Sequence, residues 1–417
     1  PRTFSSAASD VYKRQISGYV QDAQTGEKLI GANVYEGKTF VGTTTNVYGF
    51  FSLTLPADSV QLRVSFIGYN NYEKSFVLSQ NEQITVGLNS GEMLNEVEVK
   101  ATEVSEAIEE RSQMSAVSIP IQQIKSLPTF LGEVDVLKAL QLLPGIQSGS
   151  EGSSGLYVRG GGPDQNLILL DGVPVYNASH LFGFFSVFNA DAINSVELIK
   201  GGFPARYGGR LSSVIDIRMK EGNMKKISGS ASIGLISSKL TLEGPIIKDK
   251  TSFIVSGRRT YIDVLARPFI LLANRSALGT SEPGTTQKYR AYGGYYFYDL
   301  NAKINHKFSD KDRIYLSAYM GDDRFYFNEK SEYEDATSKY ESDYGAKTGW
   351  GNITSMLRWN HVLSPKMFSN VALTYSNYNM NIGYNSKDYA LQKAQPEFNL
   401  EEEEFRENFG FEYFSGI

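Results

Sequence analysis

Hydrophobic and polar residues alternate along the C-terminal half of the chain. Between 296 and 305 tyrosine and aliphatic side chains take the even positions, and from Asp299 onward polar ones take the odd positions; a similar period of two recurs over 352–360 and 370–376. This period predicts β-strands with two unlike faces. Tight turns are predicted at Ile247–Lys250, Ser309–Asp312 and Leu363–Lys366, and long, polar, Tyr-rich loops around 267–290 and 322–348. Compact soluble domains mostly have short connections, so tight turns that alternate with long loops are unusual for such a domain. We expect an antiparallel sheet of about six strands and the start of a seventh.

The N-terminal pattern consists of shorter strands. From Ile16 to about Asn89, runs such as VYGFFSLTLP and VQLRVSFIGY alternate with Gly, Asn, Asp and Pro. This spacing predicts a β-sandwich. The run GYVQDAQTGEKLIGANVYEG and the turn from Thr45 to Phe50 resemble the carboxypeptidase-regulatory-like, transthyretin-type domain. The resemblance implies an accessory module without catalytic residues, for which we favour the role of a spacer.

Three consecutive glycines, Gly160 to Gly162, suggest a phosphate-binding loop at first sight. However, the Walker and Rossmann patterns are absent, and both would need a helix N-terminus after the glycines. Instead Pro163 and Asp164 predict a turn, followed by the strand NLILLDG. Upstream, DVLKALQLLPGIQ predicts a short amphipathic helix that ends at Pro144. The glycines therefore belong to a strand–loop–strand unit.

Five motifs around these glycines carry a second resemblance. They are Leu142–Ile146 (LLPGI), Val158–Gly160 (VRG), Leu170–Pro174 (LDGVP), Val196–Gly201 (VELIKG) and Ala205–Gly208 (ARYG). Their order and spacing resemble the plug domain of TonB-dependent outer-membrane receptors of the Bacteroidetes type. The resemblance implies that the strands after the plug begin a transmembrane β-barrel, whose strands also alternate between lipid-facing and lumen-facing residues.

The predicted fold class is therefore mainly β, with a transthyretin-like β-sandwich, a small α+β plug domain and the first strands of an incomplete transmembrane antiparallel β-barrel. The predicted domains are a non-native leader at 1–15, the sandwich at 16–90, a linker at 91–113, the plug at 114–222 and the N-terminal part of the barrel at 223–417. We interpret the chain as a fragment of a receptor.

The linker contains a candidate for the TonB box, the extended segment that TonB captures in such receptors. Val97 and Val99 alternate with Glu96 and Glu98, a pattern that suits strand addition to the sheet of another protein. The alternative is the last strand of the sandwich followed by a polar helix. Given the plug resemblance, we favour the TonB box, with the residues Leu94, Asn95, Glu96, Val97, Glu98 and Val99.

Composition narrows the classes of function. The chain has 41 Lys and Arg against 46 Asp and Glu, a net charge of -5, which argues against a mainly electrostatic nucleic-acid partner. It has no cysteine and three isolated histidines, so cysteine nucleophiles and cysteine-based zinc sites are excluded. Motifs such as H-E-x-x-H and G-x-S-x-G are absent. We expect no enzyme activity, no cofactor, no metal and no catalytic residue.

The resemblance implies active uptake of a scarce solute, such as an iron chelate or a vitamin, into the periplasm. The implied partners are TonB with the ExbB–ExbD complex, the solute, the lipid bilayer and, in some related receptors, a surface lipoprotein. Candidate ligand-binding residues on the apical loops of the plug are Arg159, Asp164, Gln165, Asn166, Tyr176, His180, Phe182 and Phe184. Candidates for charged contacts that lock the plug to the barrel are Glu197, Lys200 and Arg206.

Alternatives remain open at this point. Arg159 could pair with an acidic residue inside the barrel instead of a solute. The same scaffold could serve a surface adhesin or a signal-transducing receptor, and a carbohydrate-active or peptidase-associated surface protein is a less favoured third class. The residues do not identify the solute, because related receptors carry iron chelates, cobalamin, oligosaccharides and peptides.

Overall fold

The computed structural model describes residues 13–91, 116–129, 131–149, 153–277 and 285–392, together with the backbone of 402–416. Three bodies follow one another along the chain. They are an N-terminal sandwich, the predicted plug, called the plug below, and a large antiparallel sheet, called the strand wall. No helix in these ranges is both long and apolar enough to cross a membrane.

The sandwich has two sheets, with strand orders β4-β1-β7 and β3-β2-β5-β6. Its strands are β1 (Lys13–Asp22), β2 (Asn33–Glu36), β3 (Gly42–Thr44), β4 (Phe50–Pro56), β5 (Ser59–Ser65), β6 (Tyr72–Val77) and β7 (Glu82–Leu88). Alternate residues such as Leu62 and Val64 are fully buried between the sheets. Strand β1 begins three residues before the predicted domain start at residue 16.

The turn before β4 is fixed by its own side chains. Asn46 Oδ1 accepts hydrogen bonds from the backbone N–H groups of Tyr48 at 2.9 Å and Phe50 at 3.1 Å. Gly49 has a φ of +71°, a conformation that suits glycine. This geometry presents the Tyr48 ring beyond the edge of the sandwich.

The plug is built around a mixed five-stranded sheet of order β12-β11-β16-β15-β8. Its elements are β8 (Ala116–Pro120), α1 (Ile121–Lys125), α2 (Val136–Leu140), β9 (Ile146–Gln147), β10 (Tyr157–Val158), β11 (Asn166–Leu170), β12 (Val173–Pro174), β13 (Ser179–His180), β14 (Phe185–Ser186), β15 (Ile193–Ile199) and β16 (Ser213–Met219). Asp135 caps α2 by accepting from Leu137 N at 2.9 Å and Lys138 N at 3.0 Å. Val136, Leu137 and Leu140 are buried, as the amphipathic pattern predicts.

The strand wall contains eight antiparallel strands in chain order, and it does not close on itself. The strands are β17 (Ser228–Ile233), β18 (Ser237–Ile247), β19 (Thr251–Thr260), β20 (Thr286–Lys307), β21 (Asp312–Glu334), β22 (Ser338–Ser364), β23 (Met367–Gln392) and β24 (Glu402–Gly416), with helix α3 (Ile262–Ala277) between β19 and β20. The three predicted tight turns join β18 to β19, β20 to β21 and β22 to β23. The sheet is the open start of a barrel, with more strands than the sequence pattern indicates.

The two faces of the strand wall are unlike. On β20 the odd-numbered Asp299, Asn301, Lys303 and Asn305 are buried against the plug. Large apolar side chains point the other way and are exposed; they include Leu300, Ile304, Leu316, Ile353, Leu357 and Trp359. This order is inverted relative to a water-soluble protein, because the polar face is the buried one. A lipid-facing outer surface is the arrangement that satisfies it.

The predicted long loop over 322–348 is wrong. Strands β21 and β22 continue through this region and are joined by a tight turn at residues 335–337. Asp335 Oδ1 closes the turn by accepting from Thr337 N at 2.7 Å and Ser338 N at 2.8 Å. Cross-strand partners such as Lys330 and Asp343, 3.1 Å apart, and the Tyr333–Tyr340 ring pair extend the ladder. The prediction took the polar composition of this region as the sign of a loop, but polar residues also pair well across the strands of an exposed hairpin.

The sandwich docks at the end of the wall that carries the tight turns. The Phe368 ring stacks on Tyr48 and Phe50, each with ring centroids 5.3 Å apart. Ser52 Oγ donates to Pro365 O at 2.9 Å. On the plug side, Glu27 Oε1 accepts from Asn194 Nδ2 of β15 at 2.8 Å. The sandwich therefore contacts both the plug and the wall at this end.

Candidate functional site

One buried ion pair joins the plug to the wall at the turn between β11 and β12. Asp171 is 1% exposed and its Oδ2 lies 3.0 Å from Lys303 Nζ of β20. Its Oδ1 also accepts from Met219 N at 3.0 Å, and its backbone carbonyl accepts from Arg358 Nη2 at 2.7 Å. Asp171 has a φ of +51°, a conformation that Asp tolerates better than most residues. We call this set the Asp171 contact.

The charged side chains that act on the Asp171 carboxyl are all cations. Burial would raise the pKa of this carboxyl, but Lys303, Arg358 and Arg218 outweigh it and hold the pKa below its usual value. Lys303 Nζ also donates to Met219 O at 3.1 Å, so the cation is bound to two points of the plug. The Asp171 contact is consequently an anion of the plug enclosed by cations, two of which belong to the wall.

A second buried network lies farther from the tight turns, at His180 on β13. His180 is 1% exposed, and both ring nitrogens face carboxylates of the wall. Nε2 is 2.8 Å from Asp299 Oδ1, and Nδ1 is 2.6 Å from Asp323 Oδ2. The ring stacks on Phe297, with centroids 3.9 Å apart. This set is called the His180 contact.

The His180 contact continues into a chain of alternating charges. Arg258 Nη2 lies 2.6 Å from Asp299 Oδ2, and Arg258 Nη1 lies 3.5 Å from Glu133 Oε2 of the plug. Lys239 Nζ lies 2.7 Å from the same Glu133 oxygen. In order, the chain runs Lys239, Glu133, Arg258, Asp299, His180, Asp323. Its charges balance only when His180 is protonated.

Protonation of His180 follows from its surroundings. Burial alone would lower the pKa of the imidazole, but the charge of Asp299 and hydrogen bonds to Asp299 and Asp323 raise it to about 9. An imidazole with an acceptor at each nitrogen must donate from both, and only the imidazolium can do so. Tyr295 also donates to Asp323, and Leu181 N donates to Asp323 Oδ1 at 3.2 Å. The sequence suggested His180 as a ligand residue, whereas here the ring is enclosed between plug and wall.

The three predicted locking residues have different surroundings. Glu197 lies on β15 opposite Asp216 of β16, and burial followed by the charge of Asp216 raises its pKa. Lys200 Nζ donates to Pro144 O at 2.9 Å. Arg206 Nη2 donates to Tyr207 Oη at 3.1 Å. These contacts are all within the plug, while Glu133, Asp171 and His180 reach the described part of the wall.

Three of the predicted ligand-binding residues share one cleft of the plug. Asp164, Asn166 and Tyr176 line a cavity of about 330 Å³ together with Arg210. The Asn166 side chain is already engaged, because Nδ2 donates to Leu156 O at 2.7 Å and Oδ1 accepts from Ser213 Oγ at 2.7 Å. Asp164 is exposed, and Tyr176 is half-buried. The cleft thus offers a carboxylate, a guanidinium and a phenol, with Asn166 shaping its floor.

The other candidates lie elsewhere. Arg159 is exposed, has a φ of +48°, and its N–H donates to Gly145 O at 2.9 Å. Gln165 is half-buried in a three-residue 3₁₀ turn, Pro163–Gln165, that leads into β11. Phe182 and Phe184 are 70% and 45% exposed. The Phe182 ring lies 5.0 Å from that of Trp350 on the wall, which forms an aromatic patch next to the His180 contact.

Two further predictions from the sequence concern the TonB box and the binding of a metal ion. The TonB-box candidate Leu94–Val99 lies outside the described residues. Within the described ranges, no three His, Asp or Glu side chains converge on a position that could hold a metal ion. Glu133 and Asp171 were missed as contact residues, although the alternation on β20 placed Lys303 on the face where Asp171 meets it.

Two segments of the chain match known protein families. Residues 16–99 match the CarboxypepD_reg-like domain, and residues 109–214 match the TonB-dependent Receptor Plug Domain. The TonB-dependent receptor SusC from Bacteroides thetaiotaomicron is 28% identical over 232 residues, which are 51% of this chain and 22% of that protein. The chain thus spans about a fifth of the length of this curated relative.

Solved structures of receptors and transporters are similar at low identity. The siderophore receptor PirA from Acinetobacter baumannii is 16% identical, with 68% of this chain and 49% of that chain covered and a TM-score of 0.36. The outer membrane transporter YddB from Escherichia coli is 11% identical, with 71% and 58% covered and a TM-score of 0.31.

The matched families and the SusC relative confirm both resemblances drawn from the motifs. The matched plug domain and the SusC relative belong to receptors and not to enzymes, in agreement with the prediction from the sequence. Taken with the plug seated on the polar face of an open strand wall, these matches show that the chain is similar to TonB-dependent receptors, with a CarboxypepD_reg-like domain ahead of the plug domain.

Proposed function

We propose that the protein takes up a scarce solute across the outer membrane, with energy delivered by TonB and the ExbB–ExbD complex. The observation that carries this proposal is the seating of the plug. It covers the polar face of a sheet whose other face is apolar, and two buried ionic contacts hold it there. A plug held by ion pairs can be displaced and can return, which a gate requires.

The solute is proposed to bind first at the cleft and the aromatic patch of the plug. Asp164, Tyr176 and Arg210 supply opposite charges and a phenol in one cavity of about 330 Å³. Phe182 and Phe184 supply exposed rings for a flat or ring-bearing part of the solute. These features suit an iron chelate, a vitamin or a similar compound that carries both polar groups and rings. Arg159, Gln165 and Asn166 complete the proposed apical set.

TonB is proposed to act through the linker that precedes the plug. Leu94–Val99 would add as a strand to a sheet of TonB, so main-chain hydrogen bonds would carry the pulling force. The linker leads into β8, the edge strand of the plug sheet, which pairs only with β15 in that sheet. Pulling would therefore detach β8 before any central strand of the plug.

Deletion of Asn95–Val99 tests the proposal in cells that depend on the receptor. We expect energised uptake to be lost and binding of the solute at the cell surface to persist, because the deletion leaves the apical loops unchanged. Deletion of five other linker residues, Glu103–Ala107, is the matched control and should retain uptake. Normal uptake without Asn95–Val99 would contradict the TonB-box assignment. Loss of surface binding in the variant Tyr176→Ala, with normal folding, would support the proposed cleft.

A further inference from the structure

Helix α3 presents a large apolar surface at the outer end of the strand wall. Val264, Leu265, Phe269 and Leu272 follow the spacing of one helical face, and Leu271 lies beside it. Their exposed fractions run from 45% for Leu265 to 74% for Phe269. Five large apolar side chains on one exposed helix form a surface that is costly to leave in water.

The first turn of α3 lies at the rim of the wall, where Ile262 packs on the lumenal cluster of Tyr295 and Phe297 and Asp263 lies on the outward side. Arg259, at the end of β19, lies over the Tyr296 ring at 5.0 Å and pairs with Asp263 at 3.3 Å. A Cβ at Gly294 would lie 2.9 Å from Asp263 Cβ, so the helix passes closely over β20. Even-numbered residues of β20 face away from the plug, since their odd-numbered neighbours Tyr295 and Phe297 are buried in the lumen.

The last turn of α3 is anchored to the edge of the same strand. Asn274 Nδ2 donates to Ala291 O at 2.7 Å, and Ala291 N donates to Asn274 Oδ1 at 2.9 Å. This pair of bonds occupies backbone groups of β20 beyond the end of β19, where the strand has an open edge. Because both ends of the helix are bound to β20, its apolar face has a fixed position relative to the wall.

That position coincides with the outer boundary of the apolar band. On β20 the outward apolar residues extend from Ile304 to Leu300 and are followed by Tyr298, Tyr296 and Tyr292. The eight residue steps from Ile304 to Tyr296 span roughly 26 Å along the strand, and about 20 Å in height at the usual barrel tilt. Tyrosines at such a boundary are typical of the aromatic girdle of membrane barrels. Helix α3 lies at the level of these tyrosines.

The charges of α3 also fit a membrane surface. Arg267 and Arg275 are exposed, whereas the acidic Asp263 is 7% exposed and paired with Arg259. The helix therefore presents positive charge beside its apolar face. Basic and apolar residues on one amphipathic helix are the signature of a segment that lies in the interface and binds anionic head groups.

We infer that α3 is a membrane-interface helix, whose apolar face enters the outer leaflet while Arg267 and Arg275 contact anionic head groups. The partner is the lipid surface, continuous with the lipid that covers Leu300 and Ile304. The helix would thereby fix the height and tilt of the first long connection of the wall, next to the plug. This role is separate from solute uptake and does not depend on the solute.

A spin label at Phe269→Cys tests this placement in the receptor reconstituted into vesicles of phosphatidylcholine and phosphatidylglycerol. The 417 residues contain no cysteine, so a single thiol can be introduced within them. Matched labels at Leu300→Cys and Ala336→Cys report the lipid-facing strand and the exposed turn. We expect the oxygen-to-nickel accessibility ratio at Phe269→Cys to match Leu300→Cys and to exceed Ala336→Cys by about threefold or more.

Two results would overturn the inference. High nickel accessibility at Phe269→Cys, equal to that at Ala336→Cys, would place the helix in water. Low accessibility to both oxygen and nickel would mean that a protein surface covers it. The charge component has its own test, because Arg267→Gln with Arg275→Gln should raise nickel accessibility at Phe269→Cys in anionic vesicles and leave it unchanged in pure phosphatidylcholine. Equal effects in both lipids would remove the head-group contact.

Discussion

The Asp171 contact and the His180 contact join the same two bodies with opposite polarity. At Asp171 the plug supplies the anion, and the wall supplies Lys303 and Arg358. At His180 the plug supplies the cation, and the wall supplies Asp299 and Asp323. Lys and Arg remain charged at any physiological pH, whereas His changes charge near neutrality. Two contacts of similar burial therefore respond differently to pH.

This difference separates two tasks that a gate has to combine. A contact that is always charged keeps the plug seated under all conditions. A contact that depends on one proton can be weakened without change elsewhere. Because each contact is buried, removing only one of its partners is costly: the other partner is left as a buried charge without a counterion. The strength of seating should therefore depend on Asp171 at every pH and on His180 only while it is protonated.

The largest effect is expected from Asp171→Asn. Asparagine keeps the shape and tolerates the positive φ, but Lys303 and Arg358 would lose the nearby anion. We expect the free energy of unfolding to fall by about 3–5 kcal/mol, as when one partner of a buried ion pair is removed. Urea titration of the receptor in detergent would measure it, with Trp350 fluorescence as the signal, because Trp350 Nε1 donates to Ser179 O of the plug at 3.4 Å.

The matched control for this change is Asp310→Asn. Asp310 pairs with Lys307 in an exposed tight turn, with 72% of its side chain accessible. Exposed pairs contribute little, so a loss below about 1 kcal/mol is expected. A wild-type response from Asp171→Asn would show that the buried cations find other partners, and the comparison between the two contacts would fail.

The next effect is the pH dependence of seating. Because the pKa of His180 is raised from 6.5 to about 9, its stabilisation is complete below pH 6.5 and is lost as pH rises through 9. A full shift of this size corresponds to at most about 3 kcal/mol. Trp350-monitored urea titrations between pH 6 and 10 should show this fall in the wild type and in Asp171→Asn.

The variant His180→Gln isolates the contribution of that proton. Glutamine can still donate to Asp299 or Asp323, but it carries no charge. At pH 6.5 we expect a loss of about 1.5–3 kcal/mol, the range for hydrogen bonds to charged groups. Near pH 10 the gap from the wild type should nearly close, because the wild-type ring is then neutral as well. A gap that stays constant over this range would exclude the proton as the cause.

The sequence was sufficient for the alternation along β20 and insufficient for these contacts. Alternation over 296–305 correctly placed Lys303 and Asp299 on the same face of one strand, because a period of two needs only local sequence. The partners of His180 lie 119 and 143 residues away, and no local pattern encodes such pairings. The LDG motif drew attention to Asp171 as part of a turn, but its cations come from β20 and β22.

The hairpin of β21 and β22 shows that local sequence can also fail to predict strands. Its polar, Tyr-rich sequence resembles a loop by composition, yet the two strands pair through the whole region. What distinguishes it from a loop is the cross-strand complement, such as Lys330 with Asp343, and this becomes visible only once the register is known. Composition predicts exposure to water, whereas register determines whether the exposed segment is a strand.

The smallest effect is expected from Glu197→Gln, which tests the boundary between locking residues and residues internal to the plug. Burial and the charge of Asp216 raise the pKa of Glu197, so its ionised form weakens the plug slightly at neutral pH. Removing that charge should raise the free energy of unfolding by less than about 1 kcal/mol. The difference should vanish at acidic pH, where Glu197 is protonated. A loss as large as that of Asp171→Asn would mean that Glu197 does bind the wall, and that ion pairs of the plug cannot be assigned from the two contacts alone.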